Sequence, residues 1–164
     1  MRQVAQVVAT DQDGRAMVCA GDNFARLGVA ASIELQQTDM FPAGRANLVM
    51  CNPPWLPARP SAPVEYAVYD ENSRMLLAFL AGLPSHLLPG GEGWLILSDL
   101  AERLGLRSPT MLTDAIAAAG LVVLGRSDAK PIHAKSQAPV DALHPARSRE
   151  VTSLWRLGVA PVVH

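Results

Sequence analysis

The tetrapeptide Asn52-Pro53-Pro54-Trp55 carries the most chemistry in this 164-residue chain. It follows Ala46 to Cys51 (ANLVMC), a run apolar enough to be a strand buried on both faces. Two prolines directly after a strand end its ladder, because neither can donate an N–H. They also fix the backbone, which settles orientation before any ligand arrives. An Asn amide oxygen and a proline carbonyl are both acceptors, so the pair can take two protons from one –NH2 group. Trp55 adds a flat face on which a planar group stacks. The site therefore suits a planar amide or an aromatic amine. Accepting its two protons holds the nitrogen and makes its lone pair more available. No general base is needed before attack on a strong electrophile.

Two acids stand in comparable places. Asp11 ends the β-prone run Ala5 to Thr10 (AQVVAT), and Asp39-Met40 follows the alternating run Ala31 to Gln36 (ASIELQ). In open α/β sheets ligands bind outside the carboxyl ends of strands, so Asp11, Asp39 and Asn52 occupy three successive strand ends. Each acid alone reads as a cap or turn residue. Asp13 is the more natural N-cap of the helix that follows, which leaves Asp11 freer for a ligand. A polar stretch, residues 126–149, reads as a loop. It sets Arg126, Lys130, Lys135, Arg147 and Arg149 against Asp128 and Asp141, with His133 and His144 among them. It is either a solvated loop or a grip for RNA phosphate. The histidines have no metal spacing and no partnered cysteine, so no metal site is expected. Cys19 and Cys51 read as two reduced, mostly buried thiols of a cytoplasmic protein.

The elements that position these residues alternate. A helix with Ala16, Met17, Ala20, Phe24 and Leu27 on one face ends at Gly28. Asp70 is placed to cap a helix through Met75, Leu76, Phe79, Leu80 and Leu83, which Pro84 should kink or end. Pro89-Gly90-Gly91-Glu92-Gly93 reads as a turn, and Trp94 to Ser98 (WLILS) as a buried strand. Ser108-Pro109 opens a helix running to Ala119, with Gly120 as its stop. Leu121 to Gly125 and Val151 to Leu157 are the last strands. Since no helix joins them, they should pair antiparallel. The order predicts an α/β fold with a mostly parallel sheet, in one domain over residues 1–164.

Composition agrees. The hydrophobic share is 49% and mean hydropathy +0.16, and a chain of this length can bury about 70% of the surface it exposes unfolded. A net charge of −1 gives no global field toward nucleic acid or an anionic membrane. The longest apolar stretch, Met75 to Leu83, is about half of what a bilayer crossing needs, and no signal peptide is read at the N-terminus.

The motif Asn52-Pro53-Pro54-Trp55 resembles the (N/D)PP(Y/F/W) signature of class I S-adenosylmethionine-dependent methyltransferases acting on exocyclic or amide nitrogen. The resemblance runs from Gln6 to Leu157. Asp11 is similar to the acid that binds the cofactor's ribose hydroxyls in that family. Ala16, Ala20, Asn23 and Leu27-Gly28 follow the family's helix pattern, and Pro89-Gly90-Gly91 matches its L-x-P-G-G turn. Thr38-Asp39-Met40-Phe41 matches the segment whose Asp accepts from the adenine amino group while its neighbour packs on the ring. The string Asn52-Pro53-Pro54-Trp55-Leu56-Pro57 is especially like the NPPYIP of glutamine-N5 methyltransferases that modify release factors. The ribosomal-RNA guanine-N2 enzymes of the "methyltransferase small" group are about as close. The resemblance implies a Rossmann-like fold with S-adenosylmethionine as cofactor. It also implies that Asp11, Asp39, Met40 and Asn52 hold the cofactor, and that Asn52, Pro53, Pro54 and Trp55 hold the target nitrogen of a protein glutamine, an RNA base or a small molecule.

One element of that family has no counterpart. Its first strand ends in a D/E-x-G-x-G-x-G loop, and here only Met1 to Gln6 precede the strand carrying Asp11. The cluster Gly90-Gly91-Glu92-Gly93 precedes a strand instead of opening a helix, which is the wrong context for a cofactor loop. The absent strand belongs in the middle of the family's sheet, so its loss predicts two unpaired inner edges. These edges close on each other, take a strand from a partner, or mark a piece of a longer protein. The last is favoured for the chain's origin, with homo-oligomerisation as the physical remedy. The competing reading is a non-catalytic module of truncated methyltransferase fold, binding a partner through sheet edges or the basic 126–149 loop. A nicotinamide-dependent dehydrogenase needs the same missing glycine loop and gives no reason for Asn-Pro-Pro-Trp.

Overall fold

The computed structural model of the chain describes residues 4–59, 68–130 and 148–161. It divides into two compact units, Met1–Gly44 and Arg45–His164. In the first, strand β1 (Val7–Asp11) leads through helix α1 (Gly14–Arg26) and a 3-10 turn (Ala30–Ser32) to strand β2 (Ile33–Gln37). The two strands pair in parallel, with Asp11 opposite Gln37. Asp13 caps α1 as expected, accepting the Arg15 N–H at 2.9 Å, and Gly28 leaves the helix at φ +69°. The strand expected at Ala5–Thr10 begins two residues later and is not buried: Val7 and Val8 are 40% and 39% exposed. Indeed no described side chain of residues 4–44 is fully buried. Two strands and one helix offer too few neighbours to enclose anything.

The second unit holds β3 (Ala46–Cys51), α2 (Arg74–His86), β4 (Leu87–Ser98), α3 (Leu100–Arg103), α4 (Met111–Ala118), β5 (Leu121–Ala129) and β6 (Thr152–Val159). They build one sheet in the order β3-β4-β6-β5. β3 and β4 are parallel, and β6 runs antiparallel to both β4 and β5. The expected antiparallel pair is therefore β5 with β6. Two reversals bring β5 back to the direction of β3 and β4, so the carboxyl ends of all three share one edge. Leu76, Phe79, Leu80 and Leu83 of α2 form the core with Leu95 and Leu97 of β4, Leu157 of β6, and Leu112 and Ile116 of α4. Each such side chain contributes about 1.5–3 kcal/mol by leaving water.

Several expectations are corrected. β3 has the predicted bounds but is not buried on both faces: Leu48 is 42% and Met50 61% exposed, because β3 pairs with β4 alone and lies at the sheet's edge. Among the described residues β1 likewise pairs only with β2. The segment Pro89–Gly93 is not a separate turn; it is a bulge inside β4. Ala46 stands opposite Leu87 and Leu48 opposite Glu92, so three extra residues are absorbed there, with Gly90 at φ +74°. A Cβ on Gly91 would stand 2.9 Å from the Leu88 carbonyl oxygen and 3.0 Å from that of Ala46, and one on Gly93 2.2 Å from Leu83 Cδ2. These glycines serve close packing within the sheet and against α2.

Pro84 stays inside α2, where it cannot give the Leu80 carbonyl its helical N–H; the helix ends two residues later and β4 follows at once. The helix expected from Pro109 starts at Met111 without a side-chain cap. β5 runs on to Ala129, so Arg126 and Asp128 belong to a strand and not to a loop. The thiols expected to be mostly buried divide: Cys19 is exposed and Cys51 buried. Among the described residues no helix is long and apolar enough to cross a membrane.

Candidate functional site

The motif begins where β3 stops at Cys51, opposite Leu95, while β4 runs on to Ser98. Pro53 is almost completely buried and Asn52 is exposed, with Pro54 and Trp55 half-buried between them. The indole Nε1–H of Trp55 donates to Asn52 Oδ1 at 3.1 Å. Beyond Trp55 the chain is pinned. Leu56 N–H donates to the Val68 carbonyl at 3.2 Å, Asp70 N–H donates to the Leu56 carbonyl at 2.9 Å, and Leu56 bridges Tyr69 in parallel. The tetrapeptide is thus held by a strand on one side and a bridge on the other, with two fixed proline φ angles between.

Asp70 is the residue that anchors this bridge to α2. It is 8% exposed, and its carboxylate accepts the Met75 N–H at 2.8 and 3.0 Å and the Leu76 N–H at 3.3 Å. The expected cap is real but displaced. Asn72 and Ser73 take positive φ angles (57° and 55°), so α2 begins only at Arg74. Two consecutive left-handed residues without glycine are strained, and the cap compensates for that strain. Burial, aided by the Asp70 charge, pushes the Cys51 thiol up to about 12, so the residue before Asn52 carries no thiolate chemistry at neutral pH.

In the N-terminal unit, Asp11 and Asp39 are brought to neighbouring strand ends. Thr38 N–H donates to the Asp11 carbonyl at 3.1 Å, and Thr10 Oγ1 donates to the Met40 carbonyl at 3.2 Å. Met40 sits at φ 78°, which turns the chain just after Asp39. Asp39 and Asp11 are exposed and Met40 is half-buried. Asp11 is less disengaged than expected, since its Oδ1 accepts the Asp13 N–H at 2.8 Å. Its other oxygen has no hydrogen-bond partner among the described residues. Asp13 itself is bound to Arg15, whose guanidinium holds its carboxyl down at about 2. Two exposed carboxylates at adjacent parallel strand ends fit the hydroxyls and amino group of a nucleoside. Asn52 through Trp55 lie in the other unit.

Of the basic group, Arg126 lies in β5 and is engaged there. Arg126 Nε donates to Asp128 at 2.6 Å, its guanidinium lies 4.5 Å from the centre of the Trp155 ring, and Asp128 also accepts from Ser153 Oγ at 2.7 Å. The Ser153 and Arg126 hydrogen bonds hold the Asp128 carboxyl below its ordinary range. Arg126 is therefore already paired, while Lys130 and Arg149 are exposed. Lys135, Arg147, His133 and His144 lie outside the described residues.

A polar cluster that no motif announced stands at the carboxyl end of β4. Ser98 Oγ donates to Glu150 at 2.6 Å and accepts the Leu100 N–H at 3.0 Å. Arg107, 6% exposed, pairs with Glu102 at 2.8 Å and donates to the Ser98 carbonyl at 3.1 Å. Asp99 accepts the Val151 N–H and pairs with Arg103. This network ties α3 and the approach to β6 onto the same edge that carries Asn52. Its members are spread from residue 98 to 150, and only the folded sheet assembles them.

Comparison with known proteins bears on the fold. A release factor glutamine methyltransferase of Cereibacter sphaeroides is 31% identical over 134 residues, covering 69% of this chain and 48% of that protein. The ribosomal protein L11 methylase from Lactobacillus delbrueckii subsp. bulgaricus superposes with a TM-score of 0.59 at 18% identity, covering 95% of this chain and 58% of the other. The geranyl diphosphate C-methyltransferase of Streptomyces coelicolor, solved with S-adenosyl-L-homocysteine, gives a TM-score of 0.62 at 10% identity, over 93% and 63%. The chain has the class I methyltransferase fold. No family model matches it. This methyltransferase-fold chain spans about half the length of the curated relative it matches.

Proposed function

We propose that this chain acts as an S-adenosylmethionine-dependent N-methyltransferase whose target is a planar nitrogen, the side-chain amide of a protein glutamine first among them. The observation that carries the reading is Asn52-Pro53-Pro54-Trp55 at the carboxyl end of β3, braced by the Leu56 bridge. The similarity to a glutamine methyltransferase supports the choice of amide over guanine, adenine or a small amine.

In this reading Asn52 Oδ1 and the Pro53 carbonyl accept the two protons of the target –NH2. Trp55 stacks on the target's plane, which turns the nitrogen lone pair out of the face held by the acceptors. Holding both N–H groups concentrates charge on nitrogen as attack begins, and the excess proton leaves to water afterwards. S-adenosylmethionine, when bound, supplies an electrophilic methyl on sulfur. Asp11 and Asp39 would hold its ribose hydroxyls and adenine amino group, with Met40 beside the ring.

The test is direct. Isothermal titration of the full chain with S-adenosylmethionine should give micromolar binding that Asp11→Ala weakens. Radiolabelled methyl should then pass to a glutamine-bearing peptide and be lost in Asn52→Ala. Absence of binding by the wild-type chain refutes the reading for this chain. The open edges of β1 and β3 favour one second reading, a non-catalytic module that pairs with a partner or with another copy through those edges. Concentration-dependent self-association without cofactor binding would select it. The RNA-gripping alternative is weakened by the engagement of Arg126 with Asp128 and Trp155.

A further inference from the structure

We infer that Trp55 is a positioning residue as well as a stacking platform: its indole N–H fixes the Asn52 amide with oxygen toward the ring, so the site selects a hydrogen-bond donor. The inference rests on the reading that Asn52 receives the target nitrogen. It follows from the 3.1 Å bond between Trp55 Nε1 and Asn52 Oδ1.

The oxygen and nitrogen ends of an Asn amide have nearly the same shape, and a half-turn of the last torsion exchanges them. Asn52 is exposed, so packing does not choose between them. With the oxygen end toward Trp55, one lone pair takes the indole proton and the other stays available to a target N–H. With the nitrogen end there, two N–H groups would face the indole N–H, and the target's –NH2 would meet a donor. The flipped state therefore loses one hydrogen bond and gains a donor–donor contact.

The bond also has little slack. Buried Pro53 and half-buried Pro54 fix the path from Asn52 to Trp55, and the Leu56 bridge to Tyr69 holds the chain just after it. A phenyl or phenol ring at this position would keep the stacking face but lack a donor on the five-membered ring edge.

Two measurements on the full chain decide the matter. In 1H–15N spectra the Trp55 indole resonance, assigned by its loss in Trp55→Phe, should move upfield and exchange faster with solvent in Asn52→Ala. In methyl transfer to a glutamine-bearing peptide, Trp55→Phe should raise the peptide KM about three- to tenfold, one hydrogen bond's worth, with kcat little changed. Asn52→Asp supplies the control, because both ends of a carboxylate accept and orientation no longer matters. In that background Trp55→Phe should leave the KM nearly unmoved. An indole resonance unaffected by Asn52→Ala overturns the inference, and so does an equal KM penalty in both backgrounds, which would leave Trp55 a stacking surface alone. A wild-type chain that methylates no amide overturns the underlying reading and this selection with it. The indole measurement still shows whether the amide is held.

Discussion

Replacing Asp70 tests how the nitrogen-holding motif is anchored. Its carboxylate accepts N–H groups from Met75 and Leu76, and Leu76 is 1% exposed, so in Asp70→Ala the freed Leu76 donor is left away from water. A stranded buried donor costs about 1–3 kcal/mol, and the loss of an N-cap acceptor about 1–2. The Leu76 contact at 3.3 Å is the weaker one, and removing a buried carboxylate returns part of its desolvation. The net expectation is a loss of about 2–3 kcal/mol for Asp70→Ala. Asp70→Asn, which keeps one acceptor oxygen, should lose about 1 kcal/mol. The assay is urea unfolding followed by tryptophan fluorescence. All three tryptophans, Trp55, Trp94 and Trp155, lie in the Arg45–His164 unit, so the signal reports the unit in question. At an m-value of about 2 kcal/mol/M the midpoint should fall by about 1 M in Asp70→Ala. A midpoint unchanged in Asp70→Ala refutes the reasoning. A loss in Asp70→Asn equal to that in Asp70→Ala would show that charge, and not hydrogen-bond acceptance, anchors the helix.

Other expectations follow from single contacts. Gly93→Ala forces a Cβ to within 2.2 Å of fully buried Leu83 and should cost about 1–3 kcal/mol in thermal unfolding, with part recovered in the Gly93→Ala, Leu83→Ala pair. At pH 8 a thiol reagent should titrate exposed Cys19 at once and Cys51, held near 12, only after denaturation. Glu92 is held at about 2 by hydrogen bonds from Arg156 and then Trp94. The stability it contributes is therefore present above its ordinary value of 4.5 and is lost as pH falls through about 2. NMR titration should find its midpoint raised in Arg156→Gln. Arg107→Ala removes the donor to Glu102 and to the Ser98 carbonyl and should cost about 1–3 kcal/mol in the same urea assay, since Glu102 keeps some contact with water.

Most of the architecture was legible because it rests on local signals. Alternating apolar runs, the Asp13 cap and the Gly28 and Gly120 stops each depend on a few neighbouring residues. What failed depends on neighbours far away in sequence. Pro89–Gly93 has the composition of a turn, yet its fate is set by the carbonyls of Ala46 and Asn47 and by Leu83, which leave room only for glycine. The run ANLVMC reads as buried on both faces, yet β3 lies at an edge, and strand order is a property that composition does not carry. The same holds for Val7 and Val8, apolar residues in a unit where no described side chain is fully buried.

The candidate site divides in the same way. The prolines announce a rigid strand end from sequence alone, because their φ restriction travels with the residue. The cap by Asp70 was visible in type but not in reach. Left-handed Asn72 and Ser73 delay the helix, so the carboxylate serves residues five and six positions on instead of two or three. The contact between Trp55 and Asn52 had a signal that went unused: a donor-bearing ring three residues after an amide, with two fixed φ angles between. Two prolines leave that pair almost no torsional freedom to avoid one another. An aromatic platform that also donates thus imposes a polarity on the amide beside it. The choice of tryptophan at the fourth place is then a statement about what its contact with the first place must hold, an oxygen facing the ring and ready for an N–H.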